Sequence, residues 1–328
     1  MTTPYPLDVR SEPAEALRAD RPVVALESTL IAHGLPWPMN LETARAAEAA
    51  VRAVGAVPAT IAVWKGRPTV GLNDAELEEL AHAKDVRKAS RRDLAAAVAQ
   101  GANAAVTVAA TMILARLAGI RVFATGGIGG VHPVAPGFRW GQAWPQVPDV
   151  SADLTELSRT RVAVVCAGAK GILDLTGTLE VLETFGVPVV GYGTDEFPAF
   201  YVRSSGLPVA ARVDSPAEAA ALVAAHWGLE GAGVVLAQPL PAAEALNPGA
   251  LAMHLEQAER QASDQGVRGP ALTPFLLARL AELSNGATLR ANRALVVANA
   301  RLAAQVAVAL GPHPNPPPPA AGGQGGGE

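Results

Sequence analysis

The sequence predicts an α/β protein built on a central, largely parallel sheet, and three observations predict it. Short apolar runs rich in β-branched residues alternate with helix-length stretches along most of the chain. The run from Val162 to Gly171, V-A-V-V-C-A-G-A-K-G, reads as a buried strand that ends in a tight small-residue loop. Half of the 328 residues are hydrophobic and 17% are charged, which suffices to bury a large core as one big domain or two ordinary ones.

In chain order, residues 1–20 read as a loose arm with one short helix. Arg21–Leu26 is a strand that delivers Glu27, Ser28 and Thr29 to its carboxyl end, and Gly34, Pro36 and Pro38 then rule out regular structure. Asn40 is the expected N-cap of a helix from Leu41 to about Val54. Val57–Trp64 alternates as a strand, Gly66 and Arg67 make a turn, and Pro68–Leu72 returns as a hairpin. Asn73 and Asp74 open a short acidic helix, and Val86–Ser90 leads through Arg-Arg-Asp-Leu into another. Thr107–Leu117 is an alanine-rich helix too apolar to be exposed, and Ile120–Ala124 is a strand ending in Thr125-Gly-Gly-Ile-Gly-Gly-Val-His132. Residues 133–148 have no period and read as a long ordered loop. Ser151 opens a short helix, the Val162 strand follows, and a helix runs to Phe185. Val187–Gly191, Leu207–Val213 and Ala232–Ala237 are strands, with a helix over Pro216–Trp227. The last part is helical near Ala250–Gln265, Pro274–Leu283 and Leu289–Leu310, and residues 311–328 form a Pro/Gly-rich tail expected to be disordered.

The formal charge of -4 and the scattered arginines argue against a nucleic-acid polymer as partner, while a phosphate-bearing small molecule needs only a few local cations. Cys166 is the only cysteine, so no intrachain disulfide can form and a reducing compartment is the simpler expectation. No apolar run approaches the roughly 20 residues that span a bilayer, and the opening lacks a signal core. The expectation is therefore a cytoplasmic protein without a membrane partner.

Glu27, the Thr125–Gly130 loop and Lys170 each stand just past the carboxyl end of an apolar strand. In parallel α/β sheets those ends gather along the edge where ligands bind, so three distant segments are expected to share one cleft. Only four of the 26 basic residues are lysines, at 65, 84, 88 and 170. A lysine at such a position suits chemistry that needs an amine, which can shed its proton and attack a carbonyl as a guanidinium cannot. A turn-capping surface lysine fits the same spacing. Glu27 reads as an acid/base or as a capping residue, and His132 as a ligand contact or a polar loop residue. Lys88 and Ser90, before Arg91 and Arg92, read as a phosphate site or as a solvated basic turn. The glycine run lacks the P-loop and dinucleotide spacings, but its amides can approach an anion. Asp149 and Asp153 flank Ser151 at a helix start, which is ordinary capping chemistry and a poor metal signal by itself.

Together these residues resemble the pseudouridine-5′-phosphate glycosidase family, also called pseudouridylate synthase or indigoidine-A-like. The blocks that carry the likeness are V-V-A-L-E-S-T-L-I-A-H-G-L-P at 23–36, G-A-V-P-A-T-I-A at 55–62, K-A-S-R-R-D-L at 88–94 and T-V-A-A-T-M-I-L-A at 107–115. They continue with A-G-I-R-V-F-A-T-G-G-I-G-G-V-H at 118–132, D-V-S-A-D-L-T-E-L at 149–157 and V-V-C-A-G-A-K at 164–170. E-T-F-G-V-P-V-V-G-Y at 183–192 and T-P-F-L-L-A-R-L-A-E-L at 273–283 complete the set, in order, over roughly residues 20–310.

The resemblance implies a three-layer α/β/α fold with a largely parallel or mixed sheet, and a single catalytic domain over 21–310. It implies reversible cleavage of the C–C glycosidic bond of pseudouridine 5′-phosphate to uracil and ribose 5-phosphate. Lys170 matches the family's covalent lysine, Glu27 its proton-transferring glutamate, and Asp149 the aspartate that holds a divalent metal, typically Mn2+. Lys88, Val108 and Ser151-Ala152-Asp153 match substrate-binding positions, with Ser90 beside Lys88; Thr125, His132 and Asn292 match neighbours of the phosphate or base. The family is usually a homotrimer. The chain departs from the pattern at Pro133, where Arg is common, at Gln238, where Asn-Pro is typical, and in a longer 133–148 loop. An imine-forming lyase or aldolase on another sugar phosphate, and a non-catalytic phosphosugar-binding paralogue, are the other readings of the same residues.

Overall fold

The computed structural model describes residues 6–133, 149–267 and 272–312. Its strands are β1 (Asp8–Val9), β2 (Val23–Leu26), β3 (Val57–Trp64), β4 (Arg67–Val70), β5 (Arg87–Ala89), β6 (Ala104–Val106), β7 (Val122–Ala124), β8 (Ala163–Cys166), β9 (Val189–Tyr192), β10 (Ala211–Val213) and β11 (Val234–Ala237). Its α-helices are α1 (Ser11–Arg18), α2 (Met39–Arg52), α3 (Asp74–His82), α4 (Leu94–Ala99), α5 (Val108–Ala118), α6 (Ala152–Leu157), α7 (Leu175–Thr184), α8 (Pro216–Gly228), α9 (Pro248–Asp264), α10 (Leu272–Leu283) and α11 (Ala287–Ala309).

The strands form one sheet in the order β1-β4-β3-β2-β7-β8-β11-β9-β10, with β6 joined to β3 and β5 to β6. Pairing is parallel except for β3 with β4 and β3 with β6. The sheet is thus mixed and largely parallel, as expected. Every residue of β2, β7, β8 and β11 is buried, which requires helices on both faces and explains why these strands read as continuous apolar runs. On one side α11 packs on α2 and α8 and lies against β2, β7 and β8; α5 packs on α6 and against β2, β3, β6 and β7. No helix among the described residues is long and apolar enough to cross a membrane.

Several expectations need correction. The segment from Asp8 to Arg18 is anchored, not loose, since β1 pairs with β4 and Ala16 of α1 is fully buried. Leu30–Gly34 is not irregular but a single π-helical turn. Asn40 lies inside α2 instead of capping it: its amide donates to the carbonyls of Ile31 at 2.9 Å and Ala81 at 3.0 Å, tying α2 to the π turn and to α3. The β3–β4 turn is Lys65-Gly66, both at positive φ, a shape that matches the twist of the hairpin. The strand expected from Leu207 begins only at Ala211, and the short strand β6 was not expected at all. Asn73 caps α3 where the sequence opened that helix, in a full capping box with Glu76, and Ser215 caps α8. The loop over 134–148 and the tail beyond 312 lie outside the described residues.

Gly168, at φ +83°, sits between β8 and Lys170, and a Cβ there would lie 2.0 Å from the carbonyl oxygen of Pro198. Gly119 has a similar φ of +87° but open space around it. Gly119→Ala should therefore cost only the left-handed strain of about 1–2 kcal/mol. Gly168→Ala should cost a further 1–3 kcal/mol or so of overpacking, read as a lower urea midpoint. Equal midpoints for the two variants would contradict this packing.

Candidate active site

Parallel register places the carboxyl ends of β2, β7 and β8 side by side, and these three ends carry Glu27, Thr125 and the approach to Lys170. The Thr125 hydroxyl donates to Glu27 Oε1 across the β2–β7 boundary. Beyond the strands, the glycine loop continues alongside residues 167–170: Ala167 N donates to Gly126 O at 2.9 Å, Ile128 N to Gly168 O at 3.1 Å and Lys170 N to Ile128 O at 3.1 Å. Lys170 is therefore held by an extension of the sheet ladder, not by a free loop. On the other side of β2, Ser28 Oγ accepts from Val106 N at 2.9 Å and Thr29 Oγ1 donates to Val106 O at 2.8 Å, which locks the β2 end to the β6 end.

These ends open into a cavity of about 810 Å³. Glu27, Lys88, Ser90, Val108, His132, Asp149, Ser151, Ala152, Asp153 and Lys170 all line it. All ten were candidates in the sequence. Thr125 and Asn292 do not line it. Thr125 is buried and reaches the cavity only through Glu27, whereas Asn292, 8% exposed on α11, packs behind Gly126. Gln238 lies elsewhere, in a cleft beside Arg290 and Arg301 of α11. The cavity wall also holds Thr29, Thr107, Glu156 and Thr273, none of which was singled out as a site residue, and Arg91, which the sequence placed beside the phosphate site or solvated turn at Lys88 and Ser90.

Asp153 is 5% exposed, and both of its carboxylate oxygens are spent on backbone amides, Ala109 N at 2.9 Å and Gly129 N at 2.8 Å. It caps α5 from another element and pins the glycine loop. A Cβ on Gly129 would lie 2.2 Å from Ser151 Oγ, so this glycine serves close packing. The amides of Ile128, Gly129 and Val131 already have protein acceptors, which removes most of the anion cradle expected of this run. His132 Nε2 stands 3.5 Å from the Thr273 hydroxyl and 4.0 Å from Asp149 Oδ2.

The charges at the strand ends act on one another. Burial pushes the Glu27 carboxyl above its ordinary value and Asp153 pushes it further, while Lys170, the Thr125 hydrogen bond and Lys88 oppose them. Burial pulls the Lys88 ammonium down, Lys170 adds to this, and Glu27 and Asp153 oppose it. The site thus pairs a carboxyl biased toward its protonated form with two amines, an arrangement suited to covalent catalysis with proton transfer.

Residues 12–309 match the family described as indigoidine synthase A like protein. The chain belongs to that family. A pseudouridine-5′-phosphate glycosidase of Caldanaerobacter subterraneus is 53% identical over 306 residues, covering 93% of this chain and 96% of the relative. One of Herpetosiphon aurantiacus is 56% identical over 292 residues, covering 88% and 93%. Among solved structures, the prealnumycin C-glycosynthase AlnA in complex with ribulose 5-phosphate has a TM-score of 0.83 at 42% identity, covering 93% of this chain and 96% of that one. An indigoidine synthase A-like protein of Thermotoga maritima has a TM-score of 0.81 at 37% identity with the same coverage. The family resemblance read from the sequence and the fold it implied both hold.

Asp149 is the residue that the family pattern associates with a metal. Its side chain is 66% exposed at the cavity wall, and no cluster of three His, Cys, Asp or Glu side chains exists among the described residues. One open carboxylate with a nearby imidazole does not make a protein cage, but it fits a hard divalent ion that keeps most of its water ligands.

Because the folded Glu27 binds its proton more tightly than the unfolded chain does, its contribution to stability is full below the ordinary value of 4.5 and is lost as pH rises through the raised value. Glu27→Gln should therefore gain stability relative to the wild type as pH climbs from 4.5 to neutrality, measured by denaturant unfolding at several pH values. A stability difference that is flat with pH would contradict a buried, raised carboxyl.

Proposed function

We propose that this chain reversibly cleaves the C–C glycosidic bond of pseudouridine 5′-phosphate to uracil and ribose 5-phosphate, with Lys170 as nucleophile and Glu27 as proton donor and acceptor. The observation that carries the reading is the meeting of Lys170 and Glu27, a carboxyl that burial pushes above its ordinary value, at the ends of strands separated only by β7, in one cavity. The names of the family relatives at 53–56% identity support the substrate.

A C–C bond offers no leaving heteroatom to protonate, so the site must create an electron sink. Lys170 Nζ bonds to C1′ as the C1′–O4′ bond opens, and O4′ takes the proton the amine gives up. Glu27 delivers its proton to C5 of uracil. The nitrogen lone pair becomes a C=N bond to C1′, the C1′–C5 bond breaks, and its electron pair restores the uracil ring. Water then hydrolyses the imine, returning the amine and releasing ribose 5-phosphate. Thr125 fixes the carboxyl that moves the proton, and Lys88 contributes positive charge beside it. A divalent ion, Mn2+ by the family pattern, would be held by Asp149 and would supply further positive charge to the cavity. We read the assembly as a homotrimer in the cytoplasm, as the family pattern implies.

A second reading has its own support. The C-glycosynthase at 42% identity is named for a C-glycosidic product and was solved with a different five-carbon sugar phosphate. A lyase acting on another phosphopentose C-glycoside would use the same two groups.

Uracil release from pseudouridine 5′-phosphate, followed by absorbance, tests both. The wild type should turn over, Lys170→Ala should lose turnover, and Glu27→Gln should fall by about 10²–10⁴-fold. Release that survives Lys170→Ala would contradict the nucleophile, and a wild type that releases no uracil would favour the second reading.

A further inference from the structure

The cavity wall carries more charged groups than those that act on Glu27. Glu27, Lys88, Lys170 and Asp153 act on one another in the cavity. Arg91 lines the same cavity, from the turn that follows β5. Its Nη1 donates to Glu156 Oε2 on α6, and the other Glu156 oxygen accepts from the Thr160 hydroxyl. Glu156 is 1% exposed, whereas the Arg91 side chain is 52% exposed. A buried carboxylate fully committed to one hydroxyl and one guanidinium is costly to place and differs from an ordinary surface pair. Neighbouring Arg92 shows the contrast, being 88% exposed and 3.4 Å from its own sequence neighbour Asp93.

One edge of the Arg91 fork is therefore anchored, and its remaining N–H groups have no protein partner among the described residues. A fixed planar fork with free donors at a cavity wall matches a phosphate dianion. The bound sugar constrains where that dianion lies. With C1′ at Lys170, the 5′-phosphate is at the opposite end of the pentose, within the same cavity. We propose that Arg91, oriented by Glu156, grips the 5′-phosphate and sets the preference for phosphorylated over unphosphorylated substrate. The inference rests on the phosphopentose reading above and adds a specificity residue and a positioning residue to it.

Arg91→Ala would strand a buried carboxylate and risks unfolding. The informative variants are Arg91→Lys, which keeps the charge and loses the fork, and the double variant Arg91→Gln/Glu156→Gln, which neutralises both partners together. Calorimetric titration with ribose 5-phosphate and with ribose is compared with KM and kcat for pseudouridine 5′-phosphate and for pseudouridine. The double variant should bind ribose 5-phosphate about 10- to 100-fold more weakly and raise KM for the phosphorylated substrate similarly, with little change in kcat. Its KM for pseudouridine should stay at the wild-type value, Arg91→Lys should fall between, and Glu156→Gln alone should raise KM without lowering kcat. Unchanged ribose 5-phosphate binding in the double variant, or equal losses on both substrates, would overturn the assignment. If the wild type binds ribose 5-phosphate but releases no uracil, the pseudouridine reading fails while this titration still decides the role of Arg91. If the wild type does not bind ribose 5-phosphate, both fall.

Discussion

The parallel register of β2, β7 and β8 is the constraint from which the rest of the structure follows. Three buried strands that pair in register must end together, and whatever follows them is delivered to the same edge. Here the ladder does not stop at the strand ends. The glycine loop runs on beside residues 167–170 through backbone hydrogen bonds, so the amine of Lys170 is carried on a backbone nearly as fixed as the sheet itself. Asn299 of α11 adds a buried donor beneath, its amide 2.8 Å from Thr125 O. In the proposed reaction, a lysine whose backbone is so held loses less freedom when it meets substrate, which is how geometry lowers a barrier.

Polar groups hold this edge together. Asp153 joins α6, α5 and the glycine loop through two amide contacts, and Ser28 and Thr29 join β2 to β6. These carboxyl and hydroxyl groups do the work that side-chain packing does in the core, because apolar contacts cannot orient donors around a wet cavity. Glu27 is the exception in energy: its charged form is disfavoured by burial, so the fold carries a locally destabilised group where the proposed reaction needs proton transfer. That is the expected trade between stability and function.

Much of this was legible in the sequence. The apolar strands were visible as β-branched runs, and the rule that parallel strand ends share an edge was enough to unite Glu27 and Lys170 before any coordinates. What escaped had physical reasons. β6 is three small residues, Ala-Ala-Val, indistinguishable from the start of the alanine-rich helix that follows. β1 is two residues long and exists only because β4 offers it an edge. Asn40 has the residue type of a cap, but tertiary carbonyls of Ile31 and Ala81 compete for its side chain. The glycine loop was read for what its amides could bind, when Ser151 and Asp153 crowd Gly129 and Asp153 already accepts from its amide. The Arg91–Glu156 pair joins residues 65 apart and leaves no local pattern. Asn292 packs behind the loop, against Gly126.

The central claim is that Lys170 forms a covalent bond to the sugar. Incubation with ribose 5-phosphate and borohydride, followed by intact and peptide mass spectrometry, tests it most directly. The account predicts a reduced adduct on the peptide carrying Lys170, absent in Lys170→Ala and not transferred to Lys88. Uracil release from pseudouridine 5′-phosphate with no adduct on any lysine would contradict it.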